Sequence, residues 1–502
     1  MNLRGIGVWG SAMLALALAL AACSAPGVAV PASNMEALLP PGIDCPAARG
    51  DQPVPMGVLR VGYPDEPTVW LPAFADDVVA DDLAALWGLP LFHFDESGQL
   101  RGALVHEAVV LGSGNGGWQV RLQLCPGTWS DGAPVVARDV TQTIAALRTT
   151  PAADLVAPIV DAVVDGPDVV LSFAEASGRW QHVLAEVGPI LPAHVLERDG
   201  IEAFRDSVPV AGGAFALDSV EPGLSRSFVA HPGSVLGSPR TQRIEVIVVP
   251  RFELAIGLLA DGELDLSIGH LAFEAEQRLE AVDGLHGSTA RGGTLLSWRW
   301  QPSSGVQDSS VRASVHNTFD LGPFAQGLLD DQGRTTNSFV AQAIGPARGA
   351  AATLGNLPEL VVAAPRWHEA PGLAARAVRD GIERVDGTVR TASEEADELV
   401  RRPLGDAHIV IRRLGPWPSL AHLAGSSLPA QGSVRERVLS ADTAPWAGDL
   451  LVEDGLAALS ELAIEVPLLE LGVAHGWRDG VTGLVPSGWP GLGFANALHW
   501  AG

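Results

Sequence analysis

The sequence contains three cysteines, and the first of them stands in a pattern for lipid attachment. Cys23 follows Leu20-Ala21-Ala22 at the end of an apolar run, where small residues let a peptidase approach the backbone. The Cys23 thiol would take a diacylglycerol and become the first residue of the mature chain. We therefore expect a lipoprotein signal peptide over residues 1–22 and a lipid anchor at the extracytoplasmic face of the cell membrane. The alternative is an ordinary signal peptide in which Cys23 is incidental.

The other two cysteines, Cys45 and Cys125, would lie in an oxidising compartment after secretion. A bond between them closes a loop of about 80 residues and stabilises the fold by about 4 kcal/mol in the chain-entropy model. We expect this disulfide, and the alternative is two buried free thiols. Residues 23–56 are rich in Pro, Ala and Gly and are expected to form a flexible tether.

Patterns for other reactive sites are missing from the sequence. The chain has no lysine, no G-x-S-x-G nucleophile motif, and no H-E-x-x-H or paired-cysteine spacing for a metal. We therefore expect no enzyme, no catalytic residues, no metal ligands and no cofactor.

The run from Gly112 to Gly117 satisfies G-x-G-x-x-G, but the residues after it alternate as in a strand, where a dinucleotide site needs a helix. A hairpin turn is expected there.

Length and charge limit the class of protein and of partner. A chain of 502 residues with 47% hydrophobic and 18% charged residues is expected to fold into about two to three globular units. Its net charge of −26 repels polyanions, so nucleic acid is excluded as a partner.

The periodicity of apolar residues predicts an α/β protein. A first strand is predicted over Leu59–Tyr63, and two separate β-α-β clusters follow, which suggests two lobes. The first cluster comprises Ile244–Val249, Phe252–Leu259 and Asp265–Ile268. The second comprises Leu360–Ala364, Gly372–Ile382 and Thr388–Thr391, followed by a strand at His408–Arg412.

Tyr63, Asp65 and Trp70 lie at the end of the first predicted strand and in the loop after it. Ligands of α/β sheets bind preferentially at such strand ends, so these three residues are candidates for ligand binding. The alternative is that they only fill space around the loop.

Several motifs occur in one order along most of the chain and together resemble a known family. The most specific is Trp129-Ser130-Asp131-Gly132-Ala133-Pro134-Val135, which precedes a helix at Asp139-Val140. The others are Leu59 to Pro67, Pro90-Leu91-Phe92, Gly188 to Leu196, Asp261 to Asp265, Val311-Arg312-Ala313 with Asp320, and Val466-Pro467-Leu468. From Val58 to the carboxyl end the sequence thus resembles the family 5 solute-binding proteins of ABC importers, which include oligopeptide, dipeptide and nickel receptors.

The resemblance implies a two-lobed fold of the periplasmic-binding-protein type II, with strands near Leu295–Gln301 and Glu465–Leu471 crossing between the lobes. Lobe 1 would comprise residues 57–298, including an extra subdomain, and 466–502, and lobe 2 would comprise 299–465. The resemblance also implies a monomer that binds a small, peptide-like solute between its lobes and delivers it to ABC permease subunits.

Two segments depart from the family pattern. Ala211-Gly212-Gly213-Ala214-Phe215 stands where the family commonly has G-T-G-P-F/Y. Arg413 to Pro418 stands where peptide receptors have acidic residues, so a carboxylate for the α-ammonium of a peptide is missing there. These departures keep an alternative open: a non-transport regulatory or scaffold lipoprotein of the cell envelope that retains the fold.

Three tryptophans are further candidates for ligand binding. Trp298 and Trp300 alternate on a predicted strand and therefore share a face, and the resemblance places that strand beside the cleft. Two indoles there would stack on a planar or apolar solute, and the alternative is that both are ordinary core aromatics. Trp417 occupies the loop in which the acidic residues are missing.

Overall fold

Strands and helices alternate along the chain, which confirms the α/β class predicted from periodicity. The computed structural model divides the chain into two compact units, 1–39 and 40–502, and every described residue lies in the second. The described residues are 45, 57–75, 77–94, 100–114, 117–174, 180–270, 275–300, 306, 308–316, 333–335, 359–365, 369–383, 389–394, 409–414, 432–443, 450–486, 494 and 497–502.

The strands and helices are numbered in chain order. The strands are β1 (Val58–Tyr63), β2 (Leu89–Pro90), β3 (Phe92–Phe94), β4 (Leu100–Gly102), β5 (Val105–Gly114), β6 (Gly117–Leu124), β7 (Ile159–Asp165), β8 (Asp168–Phe173), β9 (Pro189–Ile190), β10 (Phe215–Glu221), β11 (Ser225–Ala230), β12 (Arg243–Val248), β13 (Leu266–His270), β14 (Leu285–Trp300), β15 (Gly333–Thr335), β16 (Leu360–Pro365), β17 (Val389–Glu394), β18 (Ile409–Leu414) and β19 (Glu465–Arg478). The helices are α1 (Val78–Trp87), α2 (Ala137–Leu147), α3 (Ala153–Val156), α4 (Trp180–Glu186), α5 (Ala193–Asp199), α6 (Phe252–Ala260), α7 (Ala275–Glu280), α8 (Ser309–His316), α9 (Glu369–Glu383), α10 (Ser433–Thr443) and α11 (Leu450–Leu462).

Buried carboxylates fix two of the helix starts. Asp77 caps α1, and its Oδ1 accepts hydrogen bonds from the backbone N–H groups of Val79 and Ala80 at 2.9 and 3.2 Å. Asp139 in the first turn of α2 accepts from the indole N–H of Trp129 at 3.0 Å and from the backbone N–H of Ala193 at 2.7 Å. Burial raises the pKa of Asp139 above its ordinary value. A single carboxyl group therefore joins the Trp129 turn, α2 and the start of α5.

The strands form one large sheet and three smaller ones. The large sheet has the order β10-β11-β12-β1-β13-β19-β14-β18-β16-β17, with β15 paired to β19. A separate four-stranded sheet has the order β5-β6-β8-β7, and the pairs β2-β9 and β3-β4 complete the described strands. In the four-stranded sheet, Gly114 pairs with Gly117, which confirms the hairpin expected at the G-x-G-x-x-G sequence.

Two groups of parallel strands lie on opposite sides of a pair of long antiparallel strands. The first parallel set is β12, β1 and β13, and the second parallel set is β18, β16 and β17. Between them run β14 and β19, here called the central ribbon, which pair with each other from Leu285 opposite Arg478 to Arg299 opposite Glu465. The central ribbon therefore connects both sets within one sheet.

Each parallel set has its own hydrophobic core. Phe252 and Leu259 of α6 and Leu279 of α7 pack with Ala474 beside the first set. Val378 and Ile382 of α9 pack with Val362 beside the second set.

The structure also joins Cys45 and Cys125 in a disulfide, with a Cα–Cα distance of 5.4 Å. Among the described residues, no helix combines the length and the apolar character needed to cross a bilayer.

Candidate functional site

The carboxyl ends of the two parallel sets point toward each other along the central ribbon. On the first side, β13 pairs antiparallel with β19, and its last residue, His270, lies opposite Ala474. On the second side, the last residue of β18, Leu414, lies opposite Leu295, which in turn pairs with Glu470. Glu470 and Ala474 are about 13 Å apart along β19. Because ligands of α/β sheets bind at carboxyl ends, the space between these two edges is the candidate site.

The pairing of the central ribbon is interrupted between the two edges. Ala290 lies opposite Val473 and Thr294 lies opposite Leu471. Residues 291–293 of β14, Arg-Gly-Gly, therefore face the single residue Gly472 of β19. Such a bulge interrupts the backbone ladder and bends the strand that carries the extra residues.

Tyr63, at the carboxyl end of β1, is buried with 2% of its surface exposed. Its hydroxyl donates a hydrogen bond to the Asp82 carboxylate of α1 at 2.5 Å, and its ring lies 5.9 Å from that of Phe494. Gly269 of β13 has a φ of +82°, and a Cβ atom there would lie 2.6 Å from the Tyr63 ring. Glycine at 269 therefore permits the close approach of β13 to Tyr63.

The two acidic residues after Tyr63 occupy different environments. Asp65 is half-buried, and its Oδ1 accepts a hydrogen bond from the backbone N–H of Glu66 at 2.8 Å. Glu66 pairs with Arg226 of β11 and accepts from the backbone N–H of Gly223 at 2.9 Å. The Gly223 N–H and the Arg226 guanidinium lower the pKa of Glu66 below its ordinary value, against the opposing effect of burial.

Arg226 is a part of this edge that sequence reasoning missed. Only 4% of its side-chain surface is exposed, and within the described residues its Nε and Nη1 groups have no hydrogen-bond partner. Its ion pair with Glu66 joins the loop after β1 to the β10-β11 hairpin. No local pattern reveals this contact, because 160 residues separate the two partners along the chain.

Trp70 lies in the same loop and is 6% exposed. Its ring meets that of Phe228 edge to face at 6.2 Å, and its backbone N–H donates to the Arg205 carbonyl at 2.8 Å. Tyr63 and Asp65 thus lie at and just beyond the end of β1, whereas the Trp70 ring packs on Phe228, which pairs with Ile244 near the start of β12; Asp65 is the most exposed of the three side chains.

His270 closes the first edge with a buried polar contact. Its Nε2 donates to the Val249 carbonyl at 2.8 Å, and its Nδ1 lies 3.2 Å from the Ser267 hydroxyl. Burial lowers the pKa of His270 below its ordinary value, so the ring is neutral near pH 7. The hydrogen bond to Val249 fixes the end of β13 against the segment that follows β12.

Trp298 and Trp300 lie in the core beside the second parallel set. They are 0% and 2% exposed, their rings meet edge to face at 5.7 Å, and both pack with Val362 and Val378. The two indoles lie on the same face of β14, as their spacing of two residues predicted, and this face is turned toward the core. Their placement is that of core aromatics, which was the alternative left open by the sequence. Trp417 and Cys23 lie outside the described residues.

Comparison with known families and structures agrees with this fold. Residues 121–356 match the model of a family described as bacterial extracellular solute-binding proteins, family 5 middle. No curated protein matches the chain by sequence.

Three solved structures of binding proteins resemble the chain over most of its length. The oligopeptide-binding protein AppA from Bacillus subtilis, in complex with a nonapeptide, aligns with a TM-score of 0.73 and 16% identity over 89% of this chain and 99% of that one. NikZ from Campylobacter jejuni, in complex with Ni(L-His), aligns with a TM-score of 0.71 and 16% identity over 89% of this chain and 100% of that one. The ABC transporter-associated periplasmic binding protein DppA from Helicobacter pylori was solved in complex with the peptide STSA. It aligns with a TM-score of 0.70 and 13% identity over 88% of this chain and 97% of that one.

At these identities the likeness establishes the fold, which is that of the type II periplasmic solute-binding proteins. The matched family and the structural neighbours are binding proteins of transporters and not enzymes, in agreement with the expectation drawn from the sequence.

Proposed function

We propose that this chain is a lipid-anchored, extracytoplasmic solute receptor of an ABC importer. The solute binds between the two facing carboxyl edges, and the lobes are those expected from the sequence, 57–298 with 466–502 and 299–465. Cys23 carries the anchor, and ABC permease subunits are the partners that receive the solute. The receptor acts as a monomer.

The facing edges carry this proposal. Two parallel sets whose carboxyl ends approach each other along one ribbon create a site that both sets can contact at once. A ligand that contacts both sides stabilises the arrangement in which they are close, which is the physical requirement for a receptor that signals occupancy. The family match over 121–356 and the fold of the neighbours support the same conclusion.

The proposed solute is small and peptide-like. Two of the neighbours were solved with peptides. On the first edge, the half-buried carboxylate of Asp65 offers an acceptor for a cationic or N–H group of the solute. Trp417 stands in the sequence where peptide receptors have an acidic stretch, and it is a further candidate for contact with the solute.

The test begins with the purified protein. Native mass spectrometry checks for a solute that co-purifies, and thermal-shift screening then compares short peptides, sugars and metal–histidine complexes. We expect one class to raise the melting temperature and to reduce the radius of gyration in small-angle X-ray scattering. If no class binds and none co-purifies, the receptor proposal fails and the scaffold alternative takes its place.

A matched pair of variants tests the position of the site. Asp65 and Asp161 share one local contact, because each accepts a hydrogen bond from the backbone N–H of the next residue, and Asp161 is the more exposed of the two. Asp161 lies on β7 of the four-stranded sheet, away from the facing edges. We expect Asp65→Ala to weaken solute binding by roughly tenfold in calorimetric titration, and Asp161→Ala to leave it unchanged. Equal effects of the two substitutions would place the site elsewhere.

The lipid anchor has its own test. Cys23→Ser is expected to move the protein from the membrane fraction to the soluble fraction of the cell envelope, because the modified thiol is lost. Retention of the variant in the membrane fraction would contradict the anchor and leave the solute site untouched.

A further inference from the structure

The disulfide has a histidine beside it. The sulfur atoms of Cys45 and Cys125 and a ring nitrogen of His106 all lie within 4.8 Å of one another. Cys125 is buried, whereas Cys45 and His106 are half-buried, so one side of the group is open to solvent. Two sulfurs and an imidazole nitrogen form a donor set that suits thiophilic cations such as Zn²⁺.

Two of the three ligands come from the same β5-β6 hairpin. Cys125 follows the end of β6, and His106 lies near the start of β5, where it is the extra residue between Val105, opposite Leu124, and Glu107, opposite Gln123. The backbone N–H of Cys125 also donates to the Leu104 carbonyl at 2.8 Å. One hairpin therefore supplies the imidazole and the Cys125 sulfur, and Cys45 brings the second sulfur from a distant part of the chain.

We propose that reduction of the Cys45–Cys125 disulfide converts this group into a Zn²⁺ site with His106 as the third ligand. This goes beyond solute binding and does not depend on it. A dithiol reductant supplies two electrons and two protons, the S–S bond breaks to give two cysteine thiols, and the reductant becomes a disulfide. Zn²⁺ then displaces the two thiol protons, and water takes the fourth position on the open side.

The geometry requires only small movements. In a tetrahedral site with Zn–S near 2.3 Å and Zn–N near 2.0 Å, the sulfurs lie about 3.8 Å apart and each lies about 3.5 Å from the nitrogen. The nitrogen therefore needs to approach by about 1 Å from its present limit of 4.8 Å. The Cα–Cα distance of 5.4 Å leaves room for the freed sulfurs to separate by side-chain rotation. Bound metal would then hold the Cys45 segment to the hairpin in place of the covalent bond.

The test uses the full chain without a polyhistidine tag and with Cys23→Ser, so that Cys45 and Cys125 are the remaining cysteines. Reduced and oxidised protein are titrated with Co²⁺ and then with Zn²⁺. We expect the reduced form to bind one Co²⁺, with sulfur-to-cobalt charge-transfer absorption that Zn²⁺ abolishes, and the oxidised form to lack this absorption. Circular dichroism and thermal melting follow the fold of the reduced protein with and without Zn²⁺.

His106→Ala is the decisive variant, because it removes one ligand and leaves the disulfide intact. We expect it to weaken Zn²⁺ binding by roughly tenfold or more. His286→Ala, which changes a half-exposed histidine of β14 in the other sheet, is the matched control and should bind as the parent does. A reduced protein that binds no Co²⁺, or binds it equally after His106→Ala, overturns the proposal. So does a reduced protein that unfolds and is not refolded by Zn²⁺.

Discussion

Both parallel sets pack on apolar cores, and they differ in the buried polar contacts described near their strand ends. Beside the first set, buried polar groups meet: Tyr63 donates to Asp82, and His270 donates to the Val249 carbonyl. Beside the second set, the core of β14 and α9 is built from apolar side chains around Trp298 and Trp300, and the buried Ser297–Glu465 hydrogen bond lies toward the amino end of β18, away from Leu414. Among the described residues, the Trp300 indole N–H has no hydrogen-bond partner.

Polar contacts and apolar packing position the end of a strand in different ways. Polar contacts fix direction, since a hydrogen bond requires a particular distance and angle, and they respond to pH when histidine or carboxyl groups take part. Apolar packing fixes volume, and it responds chiefly to the size of the side chain. Stability at the first edge should therefore be sensitive to pH and to loss of single hydroxyl groups, and stability of the core beside the second set should be sensitive to truncation of its indoles.

The largest effect is expected from truncating an indole beside the second set. Trp298→Ala leaves a cavity in a fully buried site and should lower the free energy of unfolding by about 3–5 kcal/mol, measured by urea denaturation. Trp298→Phe keeps an aromatic ring and should cost clearly less. If Trp298→Ala leaves the free energy of unfolding nearly unchanged and abolishes solute binding, the indole belongs to the site and the comparison of the two sets is wrong.

A pH effect of intermediate size is expected beside the first set, at His475 of β19. Burial lowers its pKa from 6.5 to about 4, and the nearby His270 acts in the same direction. Below pH 6.5 the His475 side chain binds a proton in the unfolded chain but stays neutral in the folded chain until the pH reaches about 4. The free energy of unfolding therefore falls as the pH decreases from about 6.5 to about 4. At 1.36 kcal/mol per pH unit, His475 should account for about 2 kcal/mol of loss between pH 7.5 and pH 5.

The measurement is the free energy of unfolding at these two pH values for the parent and for His475→Phe. The variant should lose about 2 kcal/mol less than the parent between them, because phenylalanine does not titrate. His499→Gln, an exposed histidine near the carboxyl end, should behave as the parent does. An unchanged pH dependence in His475→Phe would contradict the polar character assigned to the first set.

The smallest effect is expected from removing one hydroxyl group. Tyr63→Phe deletes the hydrogen bond to the Asp82 carboxylate and should lower the free energy of unfolding by about 1.5 kcal/mol. A double-mutant cycle with Asp82→Asn isolates the contact, since the coupling vanishes if the two groups do not interact. A coupling energy near zero would mean that the first edge is held by packing, as the second is.

The local elements were predictable because their signals are local. Alternation predicted β1 within one residue of its observed start, and helical periodicity predicted the helix at 252–259 that is observed as α6, Phe252–Ala260. The helix predicted over 372–382 is longer, Glu369–Glu383, since an amphipathic pattern marks the face of a helix better than its ends.

The arrangement of the site was predictable only in part. Strand ends pointed to Tyr63, Asp65 and Trp70; Tyr63 does end β1, whereas the Trp70 ring packs on Phe228 of β11, and a role of the three in ligand binding stays a prediction. The period of two showed that Trp298 and Trp300 share a face, but a period cannot say whether that face meets core or solvent. The Glu66–Arg226 ion pair could not be foreseen, because it depends on bringing β11 alongside the loop after β1.

The bulge in the central ribbon has a mechanical consequence. Residues 291–293 of β14 span the length that the single residue Gly472 spans on β19, so β14 carries two extra residues between the carboxyl ends of the two parallel sets. Bending of the ribbon is therefore expected to concentrate at this bulge, with a second irregularity of the pairing between Leu296 and Ser297. Amide deuterium exchange should accordingly be fastest, within the ribbon, over residues 291–293.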